Sequence, residues 1–124
     1  MTITEKRLVG NSGEQAVEKW LALNNFTILA RNYCIRYGEV DLIAQCGEVI
    51  AFIEVKTRKT EYFPTSLVVN KSKQLKIIKA AKHFVLQNQI RDKVLRFDVA
   101  TVLLKSNGQH VVTYIPNAFV RPAF

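Results

Sequence analysis

The sequence predicts a mixed α/β (α+β) fold: a five-stranded mixed sheet flanked by helices, in the order α-β-β-β-α-β-β. Three observations predict it. Apolar residues recur at helical spacing near residues 11–25 and 71–87; five other segments are β-branched or alternating runs; turn signals separate them. No repeat, low-complexity tract or Pro/Gly/Ser linker divides the 124 residues. The chain therefore reads as a single domain, 1–124, long enough for one core.

The first helix is expected near "NSGEQAVEKWLALNN". Asn11 would cap it, with Glu14 three residues on completing a capping box. Ala16, Val17, Trp20 and Leu21 then face a core. "FTILARN" (26–32) follows as a strand. "EVDLIAQ" and "EVIAFIEVK" form a hairpin around Cys46-Gly47. "EYFPTSLVVN" (61–70) is a looser connection, where Pro64 argues against a central strand. The second helix runs from Lys71 to Gln87. Leu75, Ile78, Ala81 and Val85 form its buried stripe, flanked by Ile77 and Phe84, with Lys73, Lys76, Lys79 and Lys82 on the remainder. "VLRFDVATVLL" and "HVVTYI" close the sheet across an Asn107-Gly108 turn. The last residues, "PNAFVRPAF", read as a Pro-bounded tail that exposes Phe119, Val120 and Phe124.

Composition narrows the function. No apolar run approaches the roughly 18 residues that span a bilayer, and the start lacks the apolar stretch of a secretory signal. Two cysteines without CxxC spacing do not make a disulfide scaffold. A cytoplasmic chain with reduced thiols and no membrane partner is expected. The charge is +8, from 18 basic and 10 acidic residues. It is uneven: residues 56–96 hold 11 of the 18 basic residues and two acids, Glu61 and Asp92. Such a block favours a polyanion, with nucleic acid before an anionic membrane; a lysine-rich solvated helix face is the plainer alternative.

The hairpin decides the chemistry. A loop centred on Cys46-Gly47 pairs residues whose numbers sum to 93, so Asp41 faces Phe52 and Glu39 faces Glu54. Glu39, Asp41, Ile43, Phe52, Glu54 and Lys56 then share one sheet face, and Val40, Leu42, Ala44, Val49, Ala51, Ile53 and Val55 the other. Asp41 and Glu54 become diagonal neighbours about 5.5–8 Å apart. Carboxylates on a largely buried strand are costly unless paired or bound to a metal. Mg²⁺ typically takes one or two carboxylates with water and phosphate oxygens. A metal there activates water and offsets charge on a phosphate, and Lys56 could assist. An exposed Glu54–Lys56 pair on an edge strand is the rival reading.

These residues resemble a known family. "GNSGEQAVEKWL", "ARNY", "GEVDLIA", "FIEVKTR", "KQLKIIKAAKHFV" and "RFDVATV" stand in the order found in the bacterial YraN family, across roughly residues 7–104. That family is grouped with the PD-(D/E)XK nucleases and is distantly similar to archaeal Holliday junction resolvases. The resemblance implies a restriction-endonuclease-like core and a Mg²⁺- or Mn²⁺-dependent endonuclease acting on DNA, branched or structured DNA included. It implies Asp41 and Glu54 as metal-binding acids, Lys56 as the motif lysine, and the Val55 carbonyl as a further ligand. Glu14 matches a helix acid that approaches the same site, in competition with its capping role. Lys73 and Gln74 match a Lys-Gln pair near the substrate; Arg58, Lys59 and Lys76 would contact DNA. A junction-cutting enzyme is expected to be a homodimer, because a four-way junction has twofold symmetry.

Two other readings stay open: a module that binds nucleic acid without cleaving it, and a scaffold whose tail and basic helix bind a protein. His83 and His110 read as structural or exposed. Arg96 and Asp98 read as an ion pair. Tyr33, Tyr37 and Tyr62 flank the site, where packing is the plainer reading and stacking on unpaired bases the alternative.

Overall fold

The computed structural model describes residues 3–59 and 69–122, the first nine as helix backbone without side chains. Helix α1 (Ile3–Leu23), strands β1 (Thr27–Ile35), β2 (Gly38–Cys46) and β3 (Val49–Arg58), helix α2 (Lys71–Gln87) and strands β4 (Val94–Leu104) and β5 (His110–Phe119) follow in the predicted order. They form one sheet of order β1-β2-β3-β4-β5. Neighbours are antiparallel except β3 and β4, which run parallel and need the crossover that α2 supplies. Most of the 61–70 connection, with Tyr62 and Pro64, lies outside the described residues, as does Phe124. Among the described residues no helix is long and apolar enough to cross a membrane.

The sheet is covered by a helix on each face. Under α2 lie Val40, Ile43, Ile50, Phe52 and Phe97 with Ile77, Ala80, Ala81 and Phe84. Under α1 lie Leu42, Ala44, Ala51, Ile53, Ala100 and Val102 with Val17 and Leu21. Strand β3 is buried on both faces from Ile50 to Glu54, which explains its unbroken apolar run. The α2 side is aromatic, with Phe97 stacked on Phe52 at 5.6 Å and on Phe119 at 5.1 Å.

Helix α1 departs from expectation at its start. It begins at Ile3, so Asn11 lies inside it and the Asn11–Glu14 capping box is not formed. The Asn-Ser-Gly signal reflects packing instead. A Cβ on Gly13 would lie 1.9 Å from Thr57 Oγ1 and 3.1 Å from Thr57 Cβ, so only glycine lets α1 approach β3 this closely. The stripe of α2 is also rotated. Ile77, Ala80, Ala81 and Phe84 are buried, whereas Leu75 is exposed and Ile78 and Val85 are half-buried. The cause is again close approach: a Cβ on Gly38 would meet Ala80 N at 3.0 Å and Lys76 O at 3.1 Å. That contact favours the small alanines over the larger Leu75.

Strand β5 extends past the expected Ile115, through Pro116, to Phe119, so Phe119 packs on the core while Val120 stays exposed. A fully buried carboxylate fixes it. Asp98 accepts from Arg96 Nε at 2.9 Å, the Asn117 backbone N–H at 2.8 Å and the Tyr114 hydroxyl, confirming the Arg96–Asp98 pair. Tyr114 also stacks on Trp20 at 4.4 Å, tying β5 to α1. Burial, then the Asp98 charge, push the Tyr114 hydroxyl pKa far up, so it remains a donor.

Gly13→Ala is expected to lower stability by about 1 kcal/mol or more, because overpacking of roughly 1–3 kcal/mol exceeds the helix-propensity gain of about 1 kcal/mol. In urea unfolding, Gly13→Ala with Thr57→Ala should be more stable than Gly13→Ala alone. Equal or lower stability of the double variant would contradict the packing.

Candidate active site

The β2–β3 hairpin turns at Gly47-Glu48, one residue later than expected. Cys46 pairs with Val49, Ile43 with Phe52 and Leu42 with Ile53, so paired numbers sum to 95 rather than 93. Gly47, at φ 58, supplies the left-handed residue a tight turn requires. A shift of two keeps each β3 side chain on its predicted face, and continued one pair further that register would set Glu54 opposite Asp41 rather than diagonal to it.

At that point the two strands part. The last regular pair is Leu42 with Ile53, and beyond it the Val55 N–H donates to Asp41 Oδ2 at 2.8 Å. On the other edge of β2, Asn32 adopts φ 49 between the pairs Arg31–Leu42 and Tyr33–Val40. Strict alternation breaks here: Val40 joins the α2-side core although Leu42 faces α1. The expected single face holding Glu39, Asp41 and Glu54 is therefore replaced by a gap that Asp41 enters from β2. In an extended strand a residue's N–H and C=O point to the same edge, so the Val55 carbonyl faces this gap as well.

Glu54 is only 3% exposed, and Oε2 is the one buried side-chain oxygen or nitrogen among the described residues with no hydrogen-bond partner. Its Oε1 lies 3.7 Å from both Lys56 Nζ and Lys73 Nζ. Lys73 Nζ also donates to Glu39 Oε1 at 2.7 Å. A lysine in the first turn of α2 opposes the helix dipole, and these carboxylates offset that cost. The turn itself is set by Asn70, whose side chain accepts from the Lys73 N–H at 2.9 Å.

Burial, followed by the Asp41 charge, pushes the Glu54 carboxyl up to about 7, with Lys73 and Lys56 pulling the other way. Burial likewise raises Asp41, against the Val55 hydrogen bond, Lys73 and a side-chain hydrogen bond with the Glu54 carboxyl, which in turn raises Glu54. Glu14, half-buried on α1, is raised by burial and then by Asp41, so it stands in the same electrostatic neighbourhood. Burial works against the Lys73 ammonium, but the Glu39 hydrogen bond and three nearby carboxylates outweigh it. That Glu39–Lys73 contact holds the half-exposed Glu39 below the usual range.

A divalent cation fits this chemistry. Two crowded carboxylates resist ionising together, and one buried oxygen has no donor. No three His, Cys, Asp or Glu side chains converge at metal-binding separation among the described residues. Asp41, Glu54 and the Val55 carbonyl are the groups that could hold one, with water and phosphate oxygens needed to complete its shell.

The remaining predicted residues fall into two groups. Lys56 and Lys73 belong to the carboxylate cluster, so Lys73 is more than a surface contact. Gln74 donates from Nε2 to the Val69 carbonyl at 3.2 Å. Lys76 is exposed beside Glu39, and Arg58 and Lys59 are exposed where β3 leaves the sheet. Sequence reasoning missed the Lys73–Glu39 pair, which joins residues 34 apart and has no local signal. Tyr33 packs edge-on against Phe84 and bonds His83, as expected of a packing residue, whereas Tyr37 is exposed.

Comparison with known proteins gives one consistent result. A model described as "Uncharacterised protein family UPF0102" matches residues 13–102. A UPF0102 protein of Dictyoglomus turgidum is 37% identical over 113 residues, 90% of this chain and 96% of its own length. Counterparts from Trichlorobacter lovleyi and Treponema denticola are 40% and 42% identical, covering 90% and 80% of this chain and 89% and 82% of theirs.

The raised Glu54 pKa makes stability pH-dependent. Between the ordinary 4.5 and about 7 the folded chain binds more protons than the unfolded one, so stability falls as pH rises through this window. In chelator, unfolding free energy should drop between pH 5 and pH 8 by on the order of 2–3 kcal/mol. Glu54→Gln should flatten that slope. Parallel pH profiles for the two proteins would contradict the burial assigned to Glu54.

Proposed function

The chain belongs to the uncharacterised protein family UPF0102, and from that premise we propose that it is a Mg²⁺- or Mn²⁺-dependent endonuclease hydrolysing DNA phosphodiester bonds. The observation that carries the reading is the buried Asp41–Glu54 pair with its unpartnered Oε2, set between two lysines. A carboxylate pair kept at this cost serves a cation better than it serves the fold.

Hydrolysis places a water oxygen on phosphorus, breaks one P–O ester bond and delivers a proton to the leaving oxygen. Asp41, Glu54 and the Val55 carbonyl would hold the metal, which when bound supplies an activated water and positive charge opposite the phosphate. Lys56 Nζ, anchored at 3.7 Å from Glu54 Oε1, would orient that water and neutralise charge building on the phosphate oxygens. Glu14, its pKa raised, would accept or relay the water's proton from the α1 side. Arg58, Lys59, Lys73, Gln74 and Lys76 would hold the DNA backbone, drawing on the basic 56–96 block.

One observation favours a second reading. Lys73 already gives Glu54 and Glu39 a positive neighbour. A chain in which that contact is never displaced would bind nucleic acid without cutting it.

Cleavage separates the two. Wild-type protein should nick linear, flapped or four-way junction DNA in Mg²⁺ or Mn²⁺ and lose the activity in chelator. Asp41→Ala and Glu54→Ala should each lower the rate at least about 100-fold, and Lys56→Ala by about 10²–10³, the usual scale for a charge-stabilising donor. DNA binding should weaken steeply with salt. Wild type as inactive as the variants on every substrate, while still binding DNA, would leave the non-cleaving reading.

A further inference from the structure

The β1–β2 hairpin ends in a two-residue turn, Arg36-Tyr37, between the paired Ile35 and Gly38. Turns of this kind normally place Gly, Asn or Asp at positive φ. Here a tyrosine takes φ 65, an uncommon backbone state for a bulky residue and one that recurs at functional sites. The side chain is not there to fill a core, because Tyr37 is 69% exposed. The Arg36 guanidinium lies over its ring, 5.1 Å from the centroid, and donates to the Tyr37 hydroxyl at 3.3 Å.

The tip is also held in place. The close approach of Gly38 to Ala80 N and Lys76 O presses the hairpin onto α2. Between them is a cavity of about 210 Å³ lined by Cys34, Ile35, Tyr37, Gly38, Glu39 and Lys76. Glu39 forms its wall and also bonds Lys73, which reaches Glu54. Tyr37 therefore stands four residues from Asp41 along one chain, about 13 Å at strand spacing.

The geometry points to Tyr37 as a stacking platform for an unpaired DNA base, with Arg36 and Lys76 contacting the flanking phosphates. This deepens the nuclease reading and rests on it: the substrate class is DNA with unpaired nucleotides beside the scissile bond. An exposed aromatic face next to cations is the chemistry that binds single strands, since every base offers a π-face. Bases inside an intact duplex are already stacked on each other and cannot reach the ring.

The test measures binding and cleavage separately. A duplex with a single-stranded overhang carrying 2-aminopurine is titrated with protein in Ca²⁺, beside a blunt duplex of equal length. Wild type should quench the 2-aminopurine, Tyr37→Phe should do the same, and Tyr37→Ala should not. Tyr37→Ala should bind the overhang about 5- to 150-fold more weakly, the equivalent of one stacked base, and the blunt duplex within twofold of wild type. Equal quenching by wild type and Tyr37→Ala, or equal weakening on both DNAs, overturns the platform. If Tyr37-dependent quenching is seen while no metal-dependent cleavage occurs, the platform stands and the catalytic reading falls. Cleavage without Tyr37-dependent quenching removes the platform and leaves the catalytic reading standing.

Discussion

Two carboxylates held together in a gap of the sheet are the constraint on which the rest of this structure turns. Glu54 lies in the middle of a strand buried on both faces, and its Oε2 has no donor. Asp41 is drawn toward it because the β2–β3 ladder ends at Leu42–Ile53 and the Val55 N–H goes to Asp41 instead. Nothing in the packing of either core needs this charge. An apolar residue at Glu54 would continue the run from Ile50 to Ile53 at lower cost.

The surroundings can be understood as responses to that pair. Lys56 and Lys73 approach the same Glu54 oxygen from β3 and α2, and Lys73 does so against its own helix dipole. The glycine contacts bring the framework close: Gly13 seats α1 on Thr57, one residue beyond Lys56, and Gly38 seats the β1–β2 hairpin on α2. Away from the gap, the buried Asp98 is fully provided with donors. The contrast is informative. One buried carboxylate organises β4 and β5, while the other faces a second carboxylate between two lysines.

Much of this was legible in the sequence. Element order, the α2 limits and the Asn107-Gly108 hairpin follow from periodicity and turn residues, because those signals are local. The Asp41, Glu54 and Lys56 set was legible too, since charges inside an apolar β run stand out. What was not legible depended on contacts between distant segments. Asn11-Ser12-Gly13 reads as a helix start, yet Gly13 is there for Thr57. Leu75 reads as buried, yet the approach of Gly38 turns alanines inward. The hairpin register moved by two because the turn uses Gly47-Glu48, and no local rule separates that from Cys46-Gly47. Parity survived on β3 but broke on β2 at Asp41, and the acids meet because the Val55 N–H draws Asp41 into the gap. Lys73 was missed as a partner of Glu39 and Glu54 because nothing local joins α2 to β2.

Membership in UPF0102 supplies the lineage, and the proposed chemistry rests on the carboxylate gap. The most direct measurement is a crystal of the protein soaked in Mn²⁺ and examined by anomalous diffraction. A cation site predicts one strong peak about 2.1 Å from an Asp41 oxygen and from Glu54 Oε2, with Lys73 Nζ displaced from Glu54. Manganese bound elsewhere, with Glu54 Oε2 still unliganded in the gap, would contradict it.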